Sequence, residues 1–398
     1  MRAGPSESVL ATAAGWTTRM SSWLGSSLLA GDVPVISGRA SAVGTSPVPE
    51  KVSFRVPPST VENGRTVDWL PRKPGAALAR FGQVVDLTLQ VGGVDVRINR
   101  YLIDAWDEQD DGSIAVEAVG MLKLPEDDRL LAATGPRDDG TLKSELLRML
   151  PGYMTAGFDP ALVDRPVPRT MEWDENRLKN LYAIADAWPA RIRTDVWGQV
   201  RVLPPLPQVV EPVITFTDGD GRFDHLHLVT GDTFPADDLF PTSDTFPGEA
   251  LTARVRRTPP GTLMAAPTSD SRSGAHNVFV ARSSADGVEA QAVARVQGGP
   301  MDPTGPYRPV PKFLASPLFN DETQCLAAAI KMRDESVRSS RIRKLTFAPD
   351  PRVELDDPVE IITGAGTSRE FVERGYVVGY DIPLTVNDGP GRADVAVF

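Results

Sequence analysis

The sequence has few of the residues that build compact chemical centres. It holds one cysteine, Cys325, and three histidines, His225, His227 and His276, in 398 residues. A single cysteine excludes an intrachain disulfide framework and any Cys-rich zinc module. Three histidines leave few ligands for a transition metal. No stretch approaches the ~20 apolar residues that a membrane-spanning helix requires. The mildly apolar Val9–Leu29 follows Pro5 and Glu7 and is interrupted by Gly and Ser, so it reads as a first packed segment rather than a signal-peptide core. Positive charge is also scarce: 42 Lys and Arg stand against 53 Asp and Glu, a net charge of −11. A chain of that balance does not coat nucleic acid or anionic membrane, because such affinity is assembled from clustered Lys and Arg.

Turn formers, by contrast, are plentiful. With 34 Gly and 36 Pro these two residues make up about 18% of the chain, against about 12% in ordinary proteins. Helix interiors tolerate neither, which argues against a mostly helical protein. Hydrophobic content of 41% and charged content of 24% place the chain among globular proteins. Its length corresponds to several domains.

The first 125 residues read as strands. Lys51 to Val56 alternates polar and apolar and stops at Pro57-Pro58, and Val85 to Val91 alternates over seven positions. Gly92-Gly93 then turns the chain into Val94 to Ile98, a two-residue hairpin signal, and Ile114 to Val119 follows Asp110-Asp111-Gly112. Period two with one wet face predicts antiparallel sheet, here a small β-barrel or sandwich. Beyond Gly135 the pattern changes. Thr141–Leu150 has helical spacing, and a second helix is expected from an Asp174 N-cap to Pro189, with Leu178, Leu181, Tyr182, Ala185 and Trp188 on its apolar face. A hairpin through Arg191–Arg193 and Gln199–Val202 completes an α/β subdomain. Residues 208–270 are irregular and carry Phe-Pro at Phe234, Phe240 and Phe246, six residues apart. Proline at that spacing favours extended backbone, either an exposed loop or a strip whose phenylalanines dock into another subunit. The remainder returns to strands at Asn277–Ala281, Val288–Val296, Arg352–Leu355, Val359–Ile362 and Gly375–Leu384. One helix, about 320–341, interrupts them, capped by Asn320 and marked by Leu326, Ile330 and Val337. Arg338, Arg341, Arg343 and Lys344 gather at its expected C-terminal end, where the helix dipole favours cations, and are candidates for intersubunit ion pairs. The predicted fold is mainly β with α+β character: a first β-barrel-like domain (1–130), an inserted α/β subdomain (131–207), an irregular connector (208–270) and a second β-barrel-like domain (271–398).

A search for reaction chemistry finds little. His225 and His227, two apart in a strand, would share a face as half of a metal site, but Asp218, Asp220 and Asp224 upstream lack EF-hand spacing. Gly364-Ala365-Gly366 has neither the completion of a dinucleotide fingerprint nor a Lys-Ser/Thr. No GxSxG, HExxH or SxxK occurs, no nucleophile accompanies His276, and Cys325 reads as a buried filler. The expectation is a non-enzymatic protein without cofactor or metal.

The order of segments resembles the tail-hub (baseplate-hub) proteins of long-tailed bacteriophages, in the form found as minor tail proteins of phages infecting actinobacteria. Asp32–Gly38, followed by the Val52-Phe54-Val56 strand and its Pro-Pro stop, resembles the opening of a first hub barrel. Trp173 through Ala185, then Trp197–Val202, resembles the inserted α/β hub domain. Asn277–Val280 resembles the start of a second barrel, and Asp350–Val359 with Gly379–Leu384 its end. The resemblance implies a structural virion protein, made in the host cytoplasm and carried at the tail tip. Its homotrimer would match the sixfold tail tube to a threefold tip, around a lumen for DNA and the tape-measure protein. The implied partners are the distal tail protein, the tube, the tape-measure protein and tip or receptor-binding proteins. DNA would pass without specific binding, consistent with the acidic balance, and no membrane insertion is implied. The chain ends at Phe398 without a peptidase, lysin or receptor-binding extension, so another chain is expected to supply the tip. Two other readings stand beside this one. One is a β-rich carbohydrate-binding adhesin using Trp69, Trp106 and the Phe-Pro strip; the other is the hub of a contractile injection apparatus.

Overall fold

The structure is a computed structural model and describes residues 1–6, 9–10, 15–62, 64–169, 171–208, 211–219, 224–230, 251–257, 261–270, 275–285, 287–338 and 341–397. The chain begins with β1 (Trp16–Leu24), β2 (Ser27–Ala30), β3 (Ser37–Val43), β4 (Glu50–Val56), β5 (Ser59–Glu62), β6 (Arg65–Asp68), β7 (Gln83–Val91), β8 (Val94–Glu108) and β9 (Ile114–Gly120). The middle holds α1 (Lys123–Asp127), α2 (Leu142–Met149), β10 (Ala156–Phe158), α3 (Arg177–Ala187), β11 (Arg191–Thr194) and β12 (Val200–Leu203). There follow β13 (Ile214–Thr217), β14 (Asp224–Thr230), β15 (Leu251–Arg257), β16 (Leu263–Ala265), β17 (Thr268–Asp270), β18 (Val278–Ser283), β19 (Gln291–Arg295) and β20 (Pro311–Ser316). The chain closes with α4 (Glu322–Arg338), β21 (Arg341–Phe347), β22 (Pro358–Thr363), β23 (Phe371–Pro383) and β24 (Gly391–Val397).

Alternation decides the local structure of the β-rich ends. In β4, Val52, Phe54 and Val56 are buried while Lys51, Ser53 and Arg55 face solvent, as a sheet with one wet face requires. The β7–β8 hairpin turns on Gly92 and Gly93 with φ of +56° and +81°, left-handed values that glycine adopts without a Cβ clash. These hairpins do not close into two barrels. They join one 14-stranded sheet running β16-β21-β24-β23-β3-β4-β9-β8-β7-β1-β2, with β13, β17 and β22 attached beside it. The joining step is β3, which pairs antiparallel with β4 on one side and with β23 on the other, Val43 facing Gly379 and Arg39 facing Pro383. The edge that would have sealed a first barrel is spent on this long-range pairing, so no closed barrel forms among the described residues.

Two hydrophobic cores organise the molecule. The first lies on the large sheet and draws on both ends of the chain, from Met20, Phe54 and Tyr101 to Phe347, Val377 and Val395. The second combines the α/β middle (Leu146, Trp173, Leu181, Val200) with Phe279, Phe319, Cys325 and Met332. The helix expected near 320–341 therefore packs on β18 and β19 in the second core, whereas the strands on either side of that unit, β16 and β21, lie in the large sheet. Its buried face is Cys325, Ala328, Ala329 and Met332, and Leu326 is exposed. Small side chains bring this helix close to the sheet, and the larger apolar residues flank the contact. Its first turn is capped by Asp321, whose Oδ1 accepts from the Gln324 amide at 2.8 Å, rather than by Asn320. In α3 the cap is Asn176, not Asp174, with Oδ1 accepting from the Lys179 amide at 3.0 Å. Residues 352–355 are not a strand. They form a loop in which buried Arg352 pairs with Asp350 at 2.7 Å and Asp356 takes a φ of +69°.

Candidate functional site: the cleft between the two cores

The two cores meet at a polar cleft of about 320 Å³ lined by Arg2, Glu50, Arg191, Arg193, Thr194 and Asp356, among others. Strand alternation supplies its residues. In β11, Ile192 points into the second core, which turns Arg191 and Arg193 toward the first. Glu50 stands at the start of β4, and Asp356 projects from the 350–357 loop. Arg193 holds Asp356 bidentately through Nε and Nη2, at 2.8 and 3.1 Å, and Arg191 bonds the same carboxylate while donating to the Pro204 carbonyl at 2.8 Å. Bidentate pairing of this kind fixes orientation as well as adding energy. Thr194 donates its hydroxyl to Glu50 Oε1 at 2.8 Å. The N-terminal segment completes the wall: buried Arg2 donates to the carbonyls of Ile98, Pro351 and Val353 and to the Tyr380 hydroxyl, with the Tyr380 bond at 2.8 Å.

A second contact between the cores lies beside the cleft. The Asp195–Gly198 turn places the exposed Trp197 ring against Arg97, whose guanidinium carbon sits 3.7 Å from the ring centroid, and Arg97 Nε donates to the Val196 carbonyl at 2.9 Å. Arg97 also pairs with Asp86 at 2.7 Å, while Arg100 holds Asp86 bidentately at 2.7 and 2.8 Å. Burial works to raise the Asp86 pKa, but the bonds from Arg100 and Arg97 outweigh it and hold the carboxyl below its ordinary range. Burial moves Glu50 the other way, pushing its carboxyl up against the lowering influence of Thr194, Arg193 and Arg2. Chemically the arrangement is one of mutual neutralisation, guanidinium against carboxylate, suited to holding two units in register.

The residues singled out from the sequence are dispersed. Phe234, Phe240 and Phe246 lie outside the described residues. Only Arg338 ends the helix, and it is buried, donating to the Leu206 carbonyl at 3.2 Å. Arg341, Arg343 and Lys344 belong to β21, not to a helix end. Arg341 and Arg343 share Glu373 at 3.0 and 2.9 Å; Arg343 is buried, whereas Arg341 and Lys344 are exposed. His225 and His227 fall in β14 opposite Arg256 and Arg254, and their side chains lie outside the description. The Gly364-Ala365-Gly366 turn directs two amides at Asp218, 2.7 and 2.9 Å away, so a carboxylate of the chain itself fills the place of an anion. Trp69, a groove candidate for an adhesin, is buried in the first core and bonds Thr60 at 2.8 Å; Trp106 is half-buried against the same core. Among the described residues no group of three or more His, Cys, Asp or Glu is placed to hold a metal ion, and no helix is long and apolar enough to cross a membrane. The cleft itself has no short motif. Its charges come from segments that lie far apart in the sequence, among them the N-terminal segment, β4, β11 and the 350–357 loop.

No protein-family model matches the chain, and no curated protein matches it in sequence. The fold, however, is shared with solved structures. A tail protein from Neisseria meningitidis MC58 superposes with a TM-score of 0.59 at 10% identity, over 95% of this chain and 96% of that one. The 43 kDa tail protein of prophage MuSo2 from Shewanella oneidensis gives a TM-score of 0.55 at 9% identity, over 95% of this chain and 98% of that one.

Proposed function

We propose that this chain is a non-catalytic structural protein of a bacteriophage-type tail, placed as the hub at the tail tip. The observation that carries the proposal is end-to-end correspondence with two tail proteins, at 95% coverage of this chain in both cases, despite 9–10% identity. Correspondence spans nearly the whole of both chains in each case, not just a common sheet motif. The finer picture belongs to the same proposal. Three copies would close a ring joining a sixfold tube to a threefold tip, and DNA and the tape-measure protein would pass through its lumen. The large sheet is suited to this, since seven of its strands precede residue 121 and seven follow residue 213, giving each protomer two sheet surfaces to present. A net charge of −11 per chain disfavours retention of passing DNA phosphates. The distal tail protein, the tube and tip proteins would contact the ring's faces, with exposed Arg341 and Lys344 among the candidate interface residues. The experiment is localisation: antibody raised against this chain, seen by electron microscopy of intact particles, should mark the tail tip. Label confined to the capsid or the tail shaft would overturn the proposal.

A further inference from the structure

Among the described residues, the carboxyl of Glu50 lies in the inter-core cleft with no cation bonded to it. Its residue is 5% exposed. Oε1 accepts from Thr194 on the opposite core, while Oε2 has no hydrogen-bond partner among the described residues and lies against Gly120, close to where a Cβ there would stand. The cations facing it are already engaged. Arg193, from β11, is committed bidentately to Asp356, and Arg2, from the N-terminal segment, to three carbonyls and Tyr380. The other titratable groups that feel Glu50 are Tyr101 on β8, Tyr182 on α3 and Tyr380 on β23, all phenols that are neutral at ordinary pH and pushed up further, chiefly by burial. Asp356, Glu354, Asp195, Arg191 and Arg201 complete the charged lining.

We propose that Glu50 is a proton-controlled latch between the two cores: neutral, it is buried in the closed cleft at little cost; ionised, its lost hydration outweighs the Thr194 bond and favours an opened cleft. A buried carboxylate with one oxygen lacking a donor is costly, and the nearest guanidiniums can respond only by leaving partners they already hold. Opening the cleft admits water to that oxygen and relieves the charge. The direction of the Glu50 shift agrees with the geometry, since burial raises its pKa. A carboxyl whose folded-state pKa is raised contributes stability that is complete below its unfolded value and lost as pH rises through the folded value. The joint therefore loosens with rising pH. This inference concerns the protomer alone and does not depend on the proposed place in a tail.

Hydrogen exchange of the full chain tests it, comparing wild type with Glu50→Gln, which keeps an acceptor for Thr194 but cannot ionise. Intrinsic exchange rates cancel in the ratio at each pH, as does Asp357, which burial pushes up to about 6 in both proteins. The expected ratio of wild-type to variant exchange in 191–203 is near one below about pH 4, where Glu50 is protonated whether the cleft is closed or opened. It rises by up to about tenfold per pH unit from there to the closed-state Glu50 midpoint and is level above it, with α2 as an unaffected reference. A ratio flat from pH 4 to 9, or one rising equally in α2, overturns the proposal. Thr194→Val provides a check that does not require the Gln variant to fold. Loss of the hydroxyl that lowers the closed-state Glu50 pKa should carry the rise to higher pH before it levels off, and an unmoved upper limit contradicts the latch.

Discussion

Asp86 shows how single residues hold the cores together. It is 7% exposed, faces two arginines across the β7–β8 ladder, and through Arg97 supports the Trp197 contact from the other core. Asp86→Asn at pH 7 should lower unfolding free energy by about 3 kcal/mol, because it removes a buried charge from two partners that stay behind. The sign with pH follows from the lowered pKa of Asp86. Its stabilisation is present above the unfolded carboxyl value of about 4 and lost as pH falls through the folded value. Urea titrations of both proteins at pH 7 and pH 3 check this, and the gap between them should narrow at pH 3. At this scale the sequence is nearly silent. Arg2, Glu50 and Asp356 look like ordinary solvated charges, and no local pattern marks them, because their partners lie far along the chain.

Elements are more legible, since periodicity is a local property. The alternation of β4, the Gly-Gly turn after β7 and the helical spacing of α2 are each visible in a handful of residues. The misreadings share a cause. Arg352–Leu355 alternates as a strand does, yet an internal Arg352–Asp350 pair satisfies it as a loop. In α4 the large apolar residues draw the eye, although alanine and cysteine make the contact. Gly375 illustrates a requirement set by strand packing rather than by turn geometry. A Cβ there would stand 2.3 Å from the Ala396 carbonyl oxygen and 2.8 Å from a Val395 methyl. Gly375→Ala should cost about 2–3 kcal/mol by forcing β23 from β24. Gly93→Ala, where the added methyl meets nothing within 4 Å but φ is +81°, should cost only about 1–2 kcal/mol. Thermal unfolding of the two variants side by side distinguishes packing from backbone conformation.

At the scale of the whole molecule, the β-rich ends and the α/β middle were readable from composition and spacing. How they interleave was not. The β3–β23 ladder joins residues more than three hundred positions apart, and neither strand carries a sign of its partner. That ladder turns two expected barrels into one open sheet and builds the cleft beneath it. The proposed hub draws on this architecture, with two sets of sheet strands on each protomer and paired charges between its cores. Cryo-electron microscopy of the tail tip in intact particles is the most direct measurement. The account predicts three copies of this chain closed around a central channel, with the large sheet of each continuing around the ring. Density for this chain as a single copy, or as a peripheral appendage with no channel, would contradict it.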